Sequence, residues 1–299
     1  MPMPDSQARL DEALVAALRD EPRATVLALA RRTGFPRAVI AARLRQLQES
    51  GDLHVVAARH PAYDDRPVIA AIAITADSPI DPLLERLRAV EEAVLVSAVI
   101  GAFDITMEVR LRTHDELARL TARIRAIPGV ASLSTLLYAR VLKSYVHHLP
   151  VQRIELDERD GRLIRALGRD GRMSWQELAV EAGLSPSAAR TRVHRILDAG
   201  AARIVVMERG GRFGRVLGVT AGLNLAEEAD AALQGIREAP EVEFVVSTIG
   251  RFDAIVHLKA RGAEGAHACL ERIRAHPRIA RAETWTHLVP VKEQFSEIL

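Results

Sequence analysis

A chain of 299 residues, close to half of them apolar, is long enough for about two average domains with real cores. Its formal net charge of only +2 excludes a globally basic coat, so any footprint on nucleic acid has to be local. The single cysteine, Cys269, excludes a disulfide framework and a cysteine-based zinc site. The N-terminus lacks a secretion signal and the longest apolar runs are strand-length, so a cytoplasmic protein with no membrane partner is expected.

In chain order, Leu14, Val15 and Leu18 begin an amphipathic helix ending near Glu21-Pro22. Val26, Leu29 and Ala30 belong to a second helix, and Ile40, Leu44 and Leu47 to a third that Gly51 stops. A short β-branched run, Val55-Val56, follows. Pro67 to Ala76 then reads as a strand, Pro79 to Ala89 as a helix, Val94 to Ile100 and Phe103 to Leu111 as strands, His114 to Ala126 as a helix, and Val130 to Leu142 as a strand. Strand, helix, strand, strand, helix, strand is the split βαβ order of a ferredoxin-like sandwich.

The same series then starts again. Gly101-Ala-Phe-Asp104 recurs as Gly250-Arg-Phe-Asp253, an offset of 149 residues. That offset also pairs Leu14 with Leu163, Leu29-Ala30 with Leu178-Ala179, Gly34 with Gly183, Arg43 with Arg192, Gly51 with Gly200 and Lys143 with Lys292. The chain is a tandem duplication of one two-part unit. The copies divide into a first head over 6–60, a first sandwich over 64–145, a linker over 146–155, a second head over 156–209 and a second sandwich over 213–293.

The second head carries the most explicit local signals. Ser174 and Glu177 form a capping box before the stripe Trp175, Leu178, Ala179 and Ala182. Gly183 supplies a turn, and Ser185 with Pro186 is an N-cap followed by proline at the first helical position. On the helix that follows, Ala189, Val193, Ile196 and Leu197 face inward, while Arg190, Thr191, His194 and Arg195 lie outside. Two readings stand: a plain helical hairpin with solvated arginines, or a helix-turn-helix whose second helix enters the DNA major groove.

A three-helix head with this helix-turn-helix, a connecting strand and a βαββαβ sandwich bearing G-x-x-D after its second strand resembles the Lrp/AsnC (feast/famine) transcriptional regulators. The likeness is most specific over Leu156-Asp-Glu-Arg-Asp160, Leu163-Ile-Arg-Ala-Leu167, Gly171-Arg-Met-Ser174, Gly183-Leu-Ser185, Arg192 and Gly200. It implies an α+β fold, a winged three-helix head plus a ferredoxin-like sandwich, repeated twice. It also implies a non-enzyme that binds double-stranded DNA and a small effector, often an amino acid, and forms homo-oligomers through its sandwiches. No cofactor is expected.

The DNA-binding residues expected in the second head are Ser185, Ser187, Arg190, Thr191, Arg192, His194 and Arg195. In the first, they are Arg37, Arg43 and Arg45. That first head departs from the pattern: Pro36 stands for Ser185, Ala28 for Glu177, and Ala41-Ala42 for Arg190-Thr191, while Phe35 and Ile40 offer a hydrophobic staple. The second head is therefore expected to read bases, and the first to pack or contact phosphates.

Gly101, Asp104, Gly250 and Asp253 sit at turns between strands. They fit turn chemistry, and they also fit an effector site in which an aspartate holds an ammonium group. Thr135 and Thr284, on the last strands, occupy a position similar to a family threonine near that site. Histidines 257, 267, 276 and 287 gather in the second sandwich by sequence, but the strands of His257 and His287 should be separated by another, so no metal site is expected. Gly210-Gly211-Arg-Phe-Gly214 should precede a strand, unlike a phosphate loop. Two other functions compete: a sirohaem-decarboxylase-like enzyme on the same scaffold, disfavoured because Ile-Gly-Ala-Phe-Asp and Ile-Gly-Arg-Phe-Asp lack the Arg-Glu-His pattern of that chemistry, and a heterodimerising partner that modulates another regulator.

Overall fold

A computed structural model describes residues 4–60, 63, 65–144, 152–208, 216–226 and 229–294. Most of the expected linker, with His147 and His148, and the Gly210–Gly214 loop lie outside the described residues. Contacts sort the chain by type of domain and not by copy: residues 1–60 join 149–215, and residues 61–148 join 216–299.

The first unit holds both heads. α1 (Pro4–Asp20), α2 (Val26–Thr33), α3 (Arg37–Glu49) and β1 (Leu53–Arg59) form one. α1 begins ten residues before the apolar pattern that announces it, because only Leu10 of its early turns is a buried apolar side chain. Thr25 caps α2 by accepting from the Ala28 amide at 3.2 Å, and Gly34 ends it at φ 75°. At α3 the N-cap is Pro36, which has no side-chain cap.

The second head comprises α6 (Glu158–Arg169), α7 (Trp175–Ala182), α8 (Pro186–Asp198) and β6 (Ala202–Glu208). The two are joined by an antiparallel ribbon of β1 and β6 in which Val56 faces its own repeat counterpart, Val205, and Leu53 faces Glu208. The register is therefore symmetric about that valine pair. One hydrophobic core serves both heads: Leu14, Leu18, Leu29 and Ile40 cluster with Leu163, Leu167, Leu178 and Val193. Each fully buried leucine contributes about 2 kcal/mol.

The second unit holds both sandwiches. Its first copy runs β2 (Val68–Ala76), α4 (Asp81–Arg88), β3 (Ala93–Gly101), β4 (Ile105–Leu111), α5 (His114–Arg125) and β5 (Val130–Lys143). The other runs β7 (Val216–Leu225), α9 (Ala229–Arg237), β8 (Val242–Ile249), β9 (Ala254–Arg261), α10 (Gly262–Arg274) and β10 (Ile279–Glu293). Each copy has the ferredoxin-like order, β3-β4-β2-β5 and β8-β9-β7-β10, and the two sheets join edge to edge into a closed barrel.

The seams of that barrel repeat each other: Leu137 pairs with Ile249 on β5–β8, and Thr286 with Ile100 on β10–β3. Lysines fasten both. Lys143 donates to the Arg237 carbonyl at 2.6 Å, and Lys292 donates to the Val90 carbonyl at 2.6 Å, each across to the other copy.

Strand alternation sends one face of each sheet to its helices and the other into the barrel. Leu83, Leu87, Leu120 and Ile124 cover the first sheet, and Leu233, Ile236, Cys269 and Ile273 the second. A third core, with Phe103, Phe252 and Trp285, fills the space between the sheets.

Candidate nucleic-acid interface

The turn between α7 and α8 is built as its local sequence requires. Ser174 and Glu177 cap each other's backbone amides at 3.2 and 2.8 Å, and Gly183 sits in the left-handed region at φ 64°. The Ser185 hydroxyl accepts from the Ala188 amide at 3.2 Å and lies 3.1 Å from the Ser187 hydroxyl. Ala189, Val193 and Ile196 are buried, which fixes the opposite face outward.

On that outward face Ser187, Arg190, Thr191, His194 and Arg195 are exposed. Among the described residues Arg190 has no hydrogen-bond or ion-pair partner. Thr191 donates its hydroxyl back to the Ser187 carbonyl at 3.0 Å, and the His194 ring packs against Trp175 at 5.8 Å between centroids.

Two of the expected contact residues are held by acids. Arg192 donates to Asp157 at 2.6 Å and to Asp160 at 2.9 Å, and Arg195 also donates to Asp160. Asp160 is fully buried and shares a reciprocal capping box with Asp157 at the start of α6. The hydrogen bonds it donates to Asp157 and Asp160 push the Arg192 guanidinium above its ordinary value, while the Asp160 amide and Arg192 hold the Asp157 carboxyl down. Arg192 is thus a brace between α8 and α6, and Arg195 is partly committed to the same carboxylate.

In the first head Arg43 is committed further. It grips Asp11 through two nitrogens at 2.6 and 2.7 Å and donates to Gln46 at 2.6 Å. Asp11 is the repeat counterpart of Asp160, so the brace occurs twice. Arg37 and Arg45 are exposed and, among the described residues, without partners; Ala38, Val39 and Ala42 share the exposed surface of α3 with them.

Sequence reasoning gave no role to two further arginines. Arg23 donates to the Gly171 and Met173 carbonyls of the second head at 2.5 and 2.7 Å, and stacks over Trp175 at 4.3 Å. Arg172 donates to the Pro22 and Ala24 carbonyls of the first at 2.5 and 2.6 Å. Burial lowers the pKa of both, and for Arg23 the neighbouring charge of Arg172 adds to that. The signal available in the sequence was the 149-residue offset between them.

Four of the six expected effector residues meet across two matched seams of the barrel. Gly101, at φ +132°, faces the Thr284 carbonyl so closely that an added Cβ would stand 2.3 Å from it; Gly250, at φ +150°, faces the Thr135 carbonyl, with 2.6 Å for the same atom. The aspartates turn to their own copies: Asp104 accepts from the Ala76 amide at 2.9 Å, and Asp253 from the Leu225 amide at 2.8 Å. In this arrangement they brace the strand turn.

Among the described residues no group of three or more metal-ligating side chains forms. The strands of His257 and His287 are separated by β7, yet Thr220 on that strand links them, its hydroxyl 3.0 Å from His257 Nδ1 and 3.0 Å from His287 Nε2. His287 Nδ1 reaches the Ser97 hydroxyl of the first copy at 3.0 Å. Desolvation drives both imidazoles down to about 3, with the charge of Lys259 acting the same way, so they are neutral.

Residues 68–147 and 216–296 both match the Lrp/AsnC ligand binding domain, residues 156–196 match the AsnC-type helix-turn-helix domain, and residues 8–51 match a winged helix-turn-helix DNA-binding domain. Among curated relatives, the proline dehydrogenase transcriptional activator of Rhizobium radiobacter is 28% identical over 46% of this chain and 93% of its own length. The HTH-type transcriptional regulator LrpA of Mycobacterium tuberculosis is 31% identical over 43% of this chain and 88% of its own. Among solved structures, the siroheme decarboxylase NirDL covers 95% of this chain and 92% of its own at a TM-score of 0.62, with 15% identity, a likeness of fold alone. No helix among the described residues is long and apolar enough to cross a membrane.

Proposed function

Since the chain belongs to the Lrp/AsnC family of transcriptional regulators and carries that family's ligand binding domain twice, we propose that it binds double-stranded DNA sequence-specifically in the cytoplasm and responds to a small effector such as an amino acid. The observation that carries the reading is α8. Buried apolar residues and the Arg192 brace fix its orientation, while Arg190 stands exposed and uncommitted beside Ser187 and Thr191. Arg190 is a donor pair for a guanine edge or a phosphate, and Ser185, Ser187, Thr191, His194 and Arg195 flank it. Arg37 and Arg45 give the first head phosphate contacts, and Arg43 and Arg192 hold the two reading helices in place.

The effector sits by the two Gly–Thr seams, Gly101 with Thr284 and Gly250 with Thr135, where Asp104 and Asp253 shape the adjoining turns. Exposed Ile100, Ile249, Leu288 and Val289 beside the seams give chains an apolar surface for homo-oligomer contact.

Binding to the upstream region of the protein's own gene, titrated at several salt concentrations, tests the reading. Parental binding that weakens as salt rises, and Arg190→Ala binding lowered on the order of tenfold, is the expected result. No parental binding at low salt would refute it.

A further inference from the structure

The ribbon between the heads is symmetric about Val56 and Val205, so both reading helices are presented on one near-twofold scaffold. A two-fold protein reads two half-sites at a spacing its scaffold sets, and identical faces make those half-sites identical in sequence. Here the scaffold is symmetric and the faces are not.

Each outward position of α8 has a repeat counterpart on α3. Where α8 shows Ser187, Arg190 and Thr191, α3 shows Ala38, Ala41 and Ala42. Val39, 40% exposed, widens the apolar strip. Two polar groups near that strip are occupied, since Arg43 holds Asp11 and Gln46 accepts from Arg43 at 2.6 Å. Unpartnered Arg37 and Arg45 remain on the same exposed surface to meet phosphates.

Methyl-bearing side chains without hydrogen-bonding groups recognise one feature of the major groove, the C5-methyl of thymine. Resting on the DNA-binding reading above, we infer that the chain reads an asymmetric duplex. The second head specifies a half-site through the uncommitted Arg190 guanidinium, guanine foremost, with the Ser187 and Thr191 hydroxyls beside it. The first specifies a thymine-bearing half-site by apolar contact through Ala38, Val39 and Ala42. Spacing between halves follows from the ribbon, and their difference follows from the two faces.

Selection of duplexes from a random library by the full chain, followed by titration of base-substituted versions of the selected site, tests this. The expected site has two unlike halves. Replacing thymine by uracil, which removes only the methyl, weakens binding about fourfold per contacted base in one half. Replacing guanine by 7-deazaguanine weakens it on the order of tenfold in the other. The variant A38S/A41R/A42T, which places the polar groups of α8 at the matching positions of α3, exchanges the thymine preference of that half for a guanine preference. A palindromic parental site, indifference to uracil in both halves, or an unchanged site for the variant overturns the inference while leaving DNA binding intact. Absence of salt-sensitive binding to every duplex removes the DNA reading itself.

Discussion

Arg23 and Arg172 occupy the same place in the two copies, and each places its guanidinium on backbone carbonyls of the opposite head. Because these carbonyls lie in turns, outside regular hydrogen bonding, each arginine satisfies groups that would otherwise be left wanting. Hydrogen bonds from charged donors contribute about 1.5–3 kcal/mol. Arg23→Ala is expected to destabilise the pair of heads by about 2 kcal/mol in denaturant unfolding, and the double variant with Arg172→Ala by more. Lysine at Arg23 restores little, since one ammonium replaces a fork that spans two carbonyls.

Asp160 is fully buried and is the acceptor that Arg192 and Arg195 share, so its removal takes both hydrogen bonds from the base of α8. Asp160→Ala should cost about 2 kcal/mol of head stability, read by chemical unfolding, the scale of hydrogen bonds to a charged group. Asp11→Ala should behave alike, through Arg43. If either variant unfolds at the parental midpoint, the brace contributes nothing.

Arg190→Ala and Arg195→Ala separate recognition from support. The first should lower DNA affinity with a midpoint of unfolding within about 0.5 kcal/mol of the parent, the range for a free surface side chain. The second loses an Asp160 partner and is expected to lower both. Equal stability losses in the two would contradict the assignment.

At the barrel seams, Gly101→Ala and Gly250→Ala each force a Cβ into a carbonyl of the other copy while keeping a positive φ. Destabilisation of about 2 kcal/mol or more is expected for each, seen as a lower thermal midpoint. Effector binding, measured by calorimetry across an amino-acid panel, should weaken alongside.

His257 and His287 are neutral in the fold, with values near 3 against an ordinary 6.5. Their depressed values mean that unfolding takes up protons below about pH 6.5. Stability is therefore fully present above that pH and falls as the pH drops towards 3, by up to about 1.4 kcal/mol per pH unit for each ring. Replacing both with glutamine should flatten the pH dependence of unfolding between pH 6 and 4. An unchanged slope would show that these rings do not set it.

The parts legible in the sequence were those decided locally. The capping box of Ser174 and Glu177, the left-handed Gly34 and Gly183, and the 149-residue repeat are each readable from a few residues, and together they give the elements and their order. Which strand edges meet between the copies, and in what register, was not readable. Val56 meets Val205, and Leu137 meets Ile249, through edges that either strand could have offered to other partners. For the same reason Arg195, which has the spacing of a reading residue, could not be seen to share Asp160, whose burial depends on how α6 packs. The hydroxyl of Thr220, standing on the strand between two histidines, joined groups that topology alone kept apart.

Lys143 and Lys292 each reach into the other copy of one chain, and the two seams they fasten close the barrel within that chain. A protein with a single unit must meet a second molecule before it owns two heads, and dilution takes that form away. Here the partner arrives by translation of the same message and stays at a fixed effective concentration. Paired heads therefore form without a second molecule, at any expression level.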